Sequence, residues 1–250
     1  MHVVLYMKNT KEHTHFASRL KLFDLLFLLL LVVSVVIGIV AEMQDLIYTM
    51  PLVVLSIIGK YIYETKQKFK VLFLIALLCI LVSDVLVFTS FKDYLLWISL
   101  LNTFFLICSA LVLKPYVKYG KTRASMTISV FISIAFVVYI LYTVFNLIIT
   151  EVYGIEVYFA VLCELSMLLF LFPIGKIYLS DYYDTGTILL ASGIFSLFQV
   201  ALSIINEFLY FDSTFTVLII ICHSLSLYLL TKFLTNTKAL KDEALRENYL

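Results

Sequence analysis

A series of long apolar runs constrains this chain more than any other feature. Residues 25–40 carry no charge, and residues 71–82 contain nothing more polar than Cys79. The hydrocarbon core of a bilayer is about 30 Å thick, so a helix needs roughly 20 apolar residues to cross it. Segments of that kind recur at 23–41, 45–63, 69–90, 94–113, 124–149, 153–175, 186–211 and 214–234. Strands of a membrane barrel would instead show runs of about 10 residues of alternating polarity, and no such alternation occurs. The expected fold is therefore all-α: a polytopic integral membrane protein, a bundle of eight transmembrane helices.

Composition narrows the function classes. The chain is 63% hydrophobic and 14% charged, whereas soluble domains have about 45–50% apolar and about 25% charged residues. Too few charges remain to coat a soluble surface of this size, which excludes soluble enzymes, nucleic-acid binders and secreted disulfide modules. Disorder requires low hydrophobicity and is excluded too. A net charge of +1 creates no field for polyanions.

Basic residues orient the bundle, because cytoplasmic loops collect Lys and Arg. Lys8, Lys11, Arg19 and Lys21 precede the first segment; Lys60, Lys66, Lys68 and Lys70 flank the second connection; Lys114, Lys118, Lys121 and Arg123 flank the fourth. Lys176 lies at the sixth, and Lys232, Lys238, Lys241 and Arg246 lie at the C-terminal end, leaving Lys92 alone on the opposite side. Both termini are accordingly expected in the cytoplasm. Residues 1–22 form an N-terminal arm, 23–234 the membrane domain and 235–250 a short solvated tail. A cleaved signal peptide would have an apolar core of about 7–15 residues; the run over 25–40 is longer, so the first segment reads as a span. Met1 and Met7 are both candidate start positions. Lys outnumbers Arg by 15 to 3, a bias of AT-rich genomes that points to a bacterial cytoplasmic membrane.

Chemistry-bearing motifs are scarce. No phosphate loop, Gly-x-Gly-x-x-Gly, Gly-x-Ser-x-Gly or His-Glu-x-x-His occurs, and no cofactor is expected. Cys79, Cys108, Cys163 and Cys222 lie singly within apolar runs, where a thiol packs as a small hydrophobe. His13 and His15 lack a set of metal-ligand neighbours. Tyr61, Tyr63, Tyr116, Tyr119, Tyr182 and Tyr183 lie near span ends, the position of an interfacial aromatic belt. Asp242 and Arg246 have the i,i+4 spacing of a helical ion pair. Carriers with alternating access tend to have spans interrupted by Gly or Pro; only Pro51 and Pro173 fall within spans, which argues against a transporter.

The polar residues inside the spans stand out. An ionisable group in the hydrocarbon is costly and marks a functional position by default. Asp84 lies roughly 9 Å from the outer end of its span and Glu164 roughly 16 Å from the same face, at 1.5 Å per residue. Asn102, Gln199 and His223 fall at roughly 12–18 Å. Five spans thus place a polar group in one layer of the outer half of the membrane. The bland alternative is interhelical hydrogen bonding, at about 1 kcal/mol per pair. Two carboxyls in one cavity can instead supply a general acid and a general base.

Three stretches carry a family resemblance. Residues 48–52 read Tyr-Thr-Met-Pro-Leu, residues 77–86 read Leu-Leu-Cys-Ile-Leu-Val-Ser-Asp-Val-Leu, and residues 193–202 read Gly-Ile-Phe-Ser-Leu-Phe-Gln-Val-Ala-Leu, followed by Asn206-Glu207-Phe208. With the eight-span layout, these resemble the YhhN-type lysoplasmalogenases. Pro51 matches a family Lys-Pro, with Met50 in place of the lysine. Asp84 matches the aspartate of a Gly-Asp segment, with Ser83 in place of the glycine. Departures accompany the matches: Gln199 stands where the family has a second aspartate, Cys108 near a frequent histidine, and His223 and Leu227 where a tyrosine and a glutamine are usual.

The resemblance implies hydrolysis of the vinyl-ether bond of a lysoplasmalogen, a lysophospholipid, to a fatty aldehyde and a glycerophospho-amine. An acid protonates the vinyl carbon, an oxocarbenium ion forms, and water adds with the help of a base. The catalytic candidates are Asp84 as base, Glu164 as the acid in place of the lost aspartate, and His223 positioning water. Asn102, Gln199 and Ser83 are the substrate-binding candidates. Membrane lipids are the expected partners, and nucleic acid is not. A non-catalytic lipid- or partner-binding protein of the same fold is the alternative, and a small transporter the third reading.

Overall fold

The structure is a computed structural model that describes residues 22–41, 43–66, 70–117, 128–180 and 182–238, with side chains omitted at 128–133. The N-terminal arm with His13 and His15, most of the fourth connection and the tail with Asp242 and Arg246 lie outside the described residues. Those described are helical with no strand among them. The helices are α1 (Leu22–Val40), α2 (Met50–Thr65), α3 (Val71–Ser90), α4 (Leu95–Leu113), α5 (Ile128–Glu151), α6 (Glu156–Leu179), α7 (Gly186–Phe208) and α8 (Ser213–Asn236). Eight segments among them are long and apolar enough to cross a membrane.

The outside of the bundle is largely apolar. Leu25, Leu28, Val32 and Val36 of α1, and Phe136, Tyr139 and Tyr142 of α5, are exposed. Charges cluster instead at helix ends or inside. Short turns at 91–94, 152–155 and 209–212 reverse the chain, so these three connections share one face. We call it the distal face; α1 starts and α8 ends on the opposite, proximal face. Gly154 closes the middle turn at φ +77°, a conformation that a Cβ disfavours.

The core is built from α2, α3, α4, α6, α7 and α8, with the most extensive packing between α7 and α8, α4 and α6, and α3 and α4. Gly193 lets α7 approach α6 closely: a Cβ there would lie 3.0 Å from Ile174 Cδ1 and 3.1 Å from Leu171 Cδ2. Helix α5 packs on α7 and α6 at the rim. Helix α1 lies against α2 and α8, where Phe27 stacks on Tyr228 at 4.4 Å between centroids.

The second crossing is not one continuous α-helix. It begins as a 3-10 helix over Met43–Tyr48, passes through Thr49 and continues as α2. Pro51 lies in the first turn of α2, where its missing N–H costs nothing and its fixed φ favours the helical start. The single run expected over 45–63 is thus two pieces, an interruption that a hydropathy count does not register. Pro173, by contrast, is accommodated inside α6.

Two further expectations are corrected at the proximal end. Lys60 is not a loop lysine: it lies in α2 and is 3% exposed. Its Nζ donates to Asp24 Oδ1 of α1 and, at 3.0 Å, to Tyr228 Oη of α8, with Glu64 Oε1 at 3.7 Å. Tyr228 Oη also donates to Asp24 Oδ1 at 2.8 Å. Nor do Tyr61, Tyr116 and Tyr183 form an interfacial belt, for all three are buried. The Lys70 backbone N–H donates to Tyr61 Oη at 2.8 Å, and Lys70 Nζ donates to Val112 O and Tyr116 Oη, each at 3.3 Å. Tyr116 Oη in turn donates to Thr237 O at 3.2 Å.

Candidate functional site

Each core helix turns one stripe toward a common space. On α3 the stripe is Ile80, Asp84, Val87, Phe88 and Phe91; on α4 it is Leu95, Ile98, Ser99 and Asn102. On α6 it is Ala160, Cys163, Glu164 and Met167, and on α7 Ser196, Gln199, Val200, Ser203 and Ile204. Spacings of three and four residues place such side chains on one helix face. Two adjoining spaces result: Ile80, Met167 and Ser196 line the smaller, and the cavity proper has about 760 Å³ of atom-free space, counting its open mouth.

Asp84, Asn102, Glu164, Gln199 and His223 all line this cavity. They come from five helices, and each lies six to ten residues from the distal end of its helix. Ser83 does not join them. It is buried at 2% exposure but is not among the lining residues, because the next position along a helix is rotated by about 100°. Its neighbour Asp84 takes the inward place.

The polar groups are not equally satisfied. His223 Nε2 lies 3.1 Å from Asp84 Oδ2, and both residues are buried, joining α8 to α3. With the proton on Nε2, the ring donates to the carboxylate and leaves Nδ1 as a proton acceptor. Glu164 differs. It is 7% exposed, and its Oε2 is buried with no hydrogen-bond partner among the described residues. An unpaired buried carboxyl costs far more than a paired one. Hydroxyls nearby show the contrasting solution: Thr103 donates to Ser99 O and Ser166 to Leu162 O, both at 2.8 Å, back-bonding that satisfies the hydroxyl within its own helix.

Apart from Ser99 and Ser203, the rest of the wall is apolar, with Met50, Val87, Phe88, Leu95 and Ile98, and Val144 and Ile148 of α5. Met50 reaches it because the second crossing restarts there. Among the described residues, no Lys or Arg lines the cavity. A further space shares Val87, Phe88, Phe91, Ser203 and Ile219 with it and extends toward the distal face, where it is lined by Asn206 and Glu207. Lys92 lies beside this mouth, its Nζ 5.6 Å from the Phe208 ring centroid.

No group of three or more His, Cys, Asp or Glu residues able to hold a metal occurs among the described residues. The four cysteines are free, and Cys163 contributes to the cavity wall. Sequence reasoning missed the Asp24–Lys60–Tyr228 cluster altogether. The only available signal was an aspartate two positions into the first apolar segment, which needed a partner somewhere. Comparison of the chain with family models, curated proteins and solved structures finds no match in any of the three.

Proposed function

We propose that this is a multi-pass membrane protein that takes a single-chain amphiphile into the cavity between α3, α4, α6, α7 and α8. The observation that carries this reading is the convergence of five polar side chains from five helices on one otherwise apolar cavity. Polar residues that merely join helices would sit in pairwise contacts; here they face a shared space. The apolar wall suits an acyl chain and the polar layer a head. The basic-residue asymmetry orients the distal mouth to the outer leaflet of a cell membrane, a bacterial cytoplasmic membrane by composition, with membrane lipids as the source of ligand.

The test is retention of single-chain lipids by the purified protein in a neutral detergent, measured by native mass spectrometry. Ala160→Trp, which fills the cavity, is expected to eliminate one-to-one retention. Equal retention by a folded Ala160→Trp variant places the ligand elsewhere and overturns the reading.

A second reading is favoured by the Asp84–His223 contact. In it the cavity performs the vinyl-ether hydrolysis of the YhhN-type enzymes. Asp84, with His223, accepts the proton of the attacking water, and protonated Glu164 delivers a proton to the vinyl carbon. Aldehyde release from a lysoplasmalogen separates this reading from binding alone. Activity in the parent that disappears in Asp84→Asn supports it, and a parent that binds but releases no aldehyde is a non-catalytic member of the same architecture.

A further inference from the structure

We infer that the cavity selects an amphiphile with a cationic amine head, for which Glu164 is the counter-ion. This rests on the amphiphile-binding reading, not on the hydrolytic one. The argument begins with the charge count of the lining. Its ionisable groups other than Cys163 are Asp84, Glu164 and His223. His223 is held by Asp84, so this pair is neutral when the ring is charged and negative when it is not. Glu164 is neutral or negative. No combination of these states gives a positive cavity. A phosphate head entering it would find no compensating charge, and an unpaired ion in a low-dielectric space is strongly disfavoured.

An ammonium meets the opposite situation. It has three donors and no acceptor, and the cavity offers the unpartnered Glu164 Oε2 together with the side-chain oxygens of Ser99, Asn102 and Gln199. Phe88 and Phe91 lie in the same wall, and aromatic faces attract cations. The Glu164 carboxyl is more than nine-tenths buried without a hydrogen-bond partner among the described residues. An arriving ammonium supplies the missing partner.

The experiment uses the full chain in a neutral maltoside and three probes of one chain length: dodecylamine, dodecanol and dodecyl phosphate. Binding is read by calorimetry near neutral pH. The amine is expected to bind about tenfold or more tighter than the alcohol, with the phosphate weakest, a range set by pairing a buried charge. In Glu164→Gln the preference for amine over alcohol should shrink to within about twofold. An alcohol or phosphate that binds the parent as tightly as the amine overturns the inference and leaves the amphiphile reading standing. Persistence of the amine preference in Glu164→Gln overturns the counter-ion assignment. Should that variant fail to fold, the ratio of amine to alcohol binding in the parent still decides the selectivity. Binding of none of the three overturns the amphiphile reading itself.

Discussion

Two sets of buried charges occupy opposite halves of this bundle, and they are built differently. At the proximal end Lys60 is surrounded: Asp24, Tyr228 and Glu64 all lie within 4 Å of its Nζ, and its ammonium stands 4.1 Å from the Tyr228 ring centroid. In the distal half Asp84 has one protein partner, His223, and Glu164 Oε2 has none among the described residues. The proximal set touches no cavity named above, whereas the distal set lines one. A buried charge enclosed by its own protein holds helices together. A buried charge that lines a cavity can meet a further partner. Glu64 Oε2 is itself buried without a hydrogen-bond partner among the described residues, so the difference between the two regions lies in the open space beside the charge, not in polarity.

The sharpest way to break this contrast is to remove the centre of the enclosed set. Lys60→Met should destabilise the protein by about 2–3 kcal/mol, somewhat less than a fully buried pair because Asp24 is half exposed. Thermal unfolding in detergent measures this. Glu164→Gln should stay within about 1 kcal/mol of the parent by the same measurement, while losing amine binding. A Glu164→Gln variant as unstable as Lys60→Met would show that the distal carboxyl is structural after all, and the contrast would dissolve.

Asp84→Asn lies between these extremes. The amide still hydrogen-bonds to His223, so the stability loss should be about 1 kcal/mol. Any aldehyde release should fall to background, since an amide accepts no proton from water near neutral pH. An ammonium seated on Glu164 also deprives hydrolysis of its acid. Inhibition of aldehyde release by dodecylamine would therefore place both chemistries in one cavity, and its absence would separate them.

Much of this contrast was legible in the sequence, for reasons that differ between the halves. The distal set could be found because its five members share a depth, and depth is a count along each helix. Span ends were legible for the same reason, to within a few residues at α2–α8. The proximal set could not be found in this way. Asp24 and Lys60 are 36 positions apart and Tyr228 lies 168 beyond Lys60; nothing local links them. Lys60 also has the right type and place for a topological loop charge, which hides its role. Ser83 failed for lack of azimuth: depth assigns the layer, but rotation about the helix decides which residue faces the cavity. The break before Met50 was marked by Pro51, but hydropathy averages across it.

Tyr228→Phe tests the enclosed set more gently. It deletes the hydroxyl that touches both Lys60 and Asp24 while keeping the stack on Phe27. A loss of about 1 kcal/mol is expected, with amine binding unchanged. The smallest effect should come from Lys70, just outside the spans at the proximal end. Burial among Val112 and Tyr116 holds its ammonium below the ordinary lysine value of 10.5. The unfolded chain therefore binds more protons than the folded one in the window between the lowered and ordinary values. Stability should rise with pH across that window. The difference in melting temperature between parent and Lys70→Met should narrow as the pH rises through it, and a difference that stays constant with pH would contradict the assignment.

The enclosed lysine also bears on how the protein is made. Tyr228 meets Asp24 across 204 positions of sequence, joining the first helix to the last. Synthesis proceeds from the N-terminus at about 5–20 residues per second, so Asp24 and Lys60 are made well before the helix that completes their pairing. During that interval α1 and α2 lack the tyrosine that joins their two charges. Closure of this cluster thus waits until α8 has been made. A chain cut short before α8 would carry a lysine lacking one of its partners, a defect that quality-control proteases could recognise by its exposed charge.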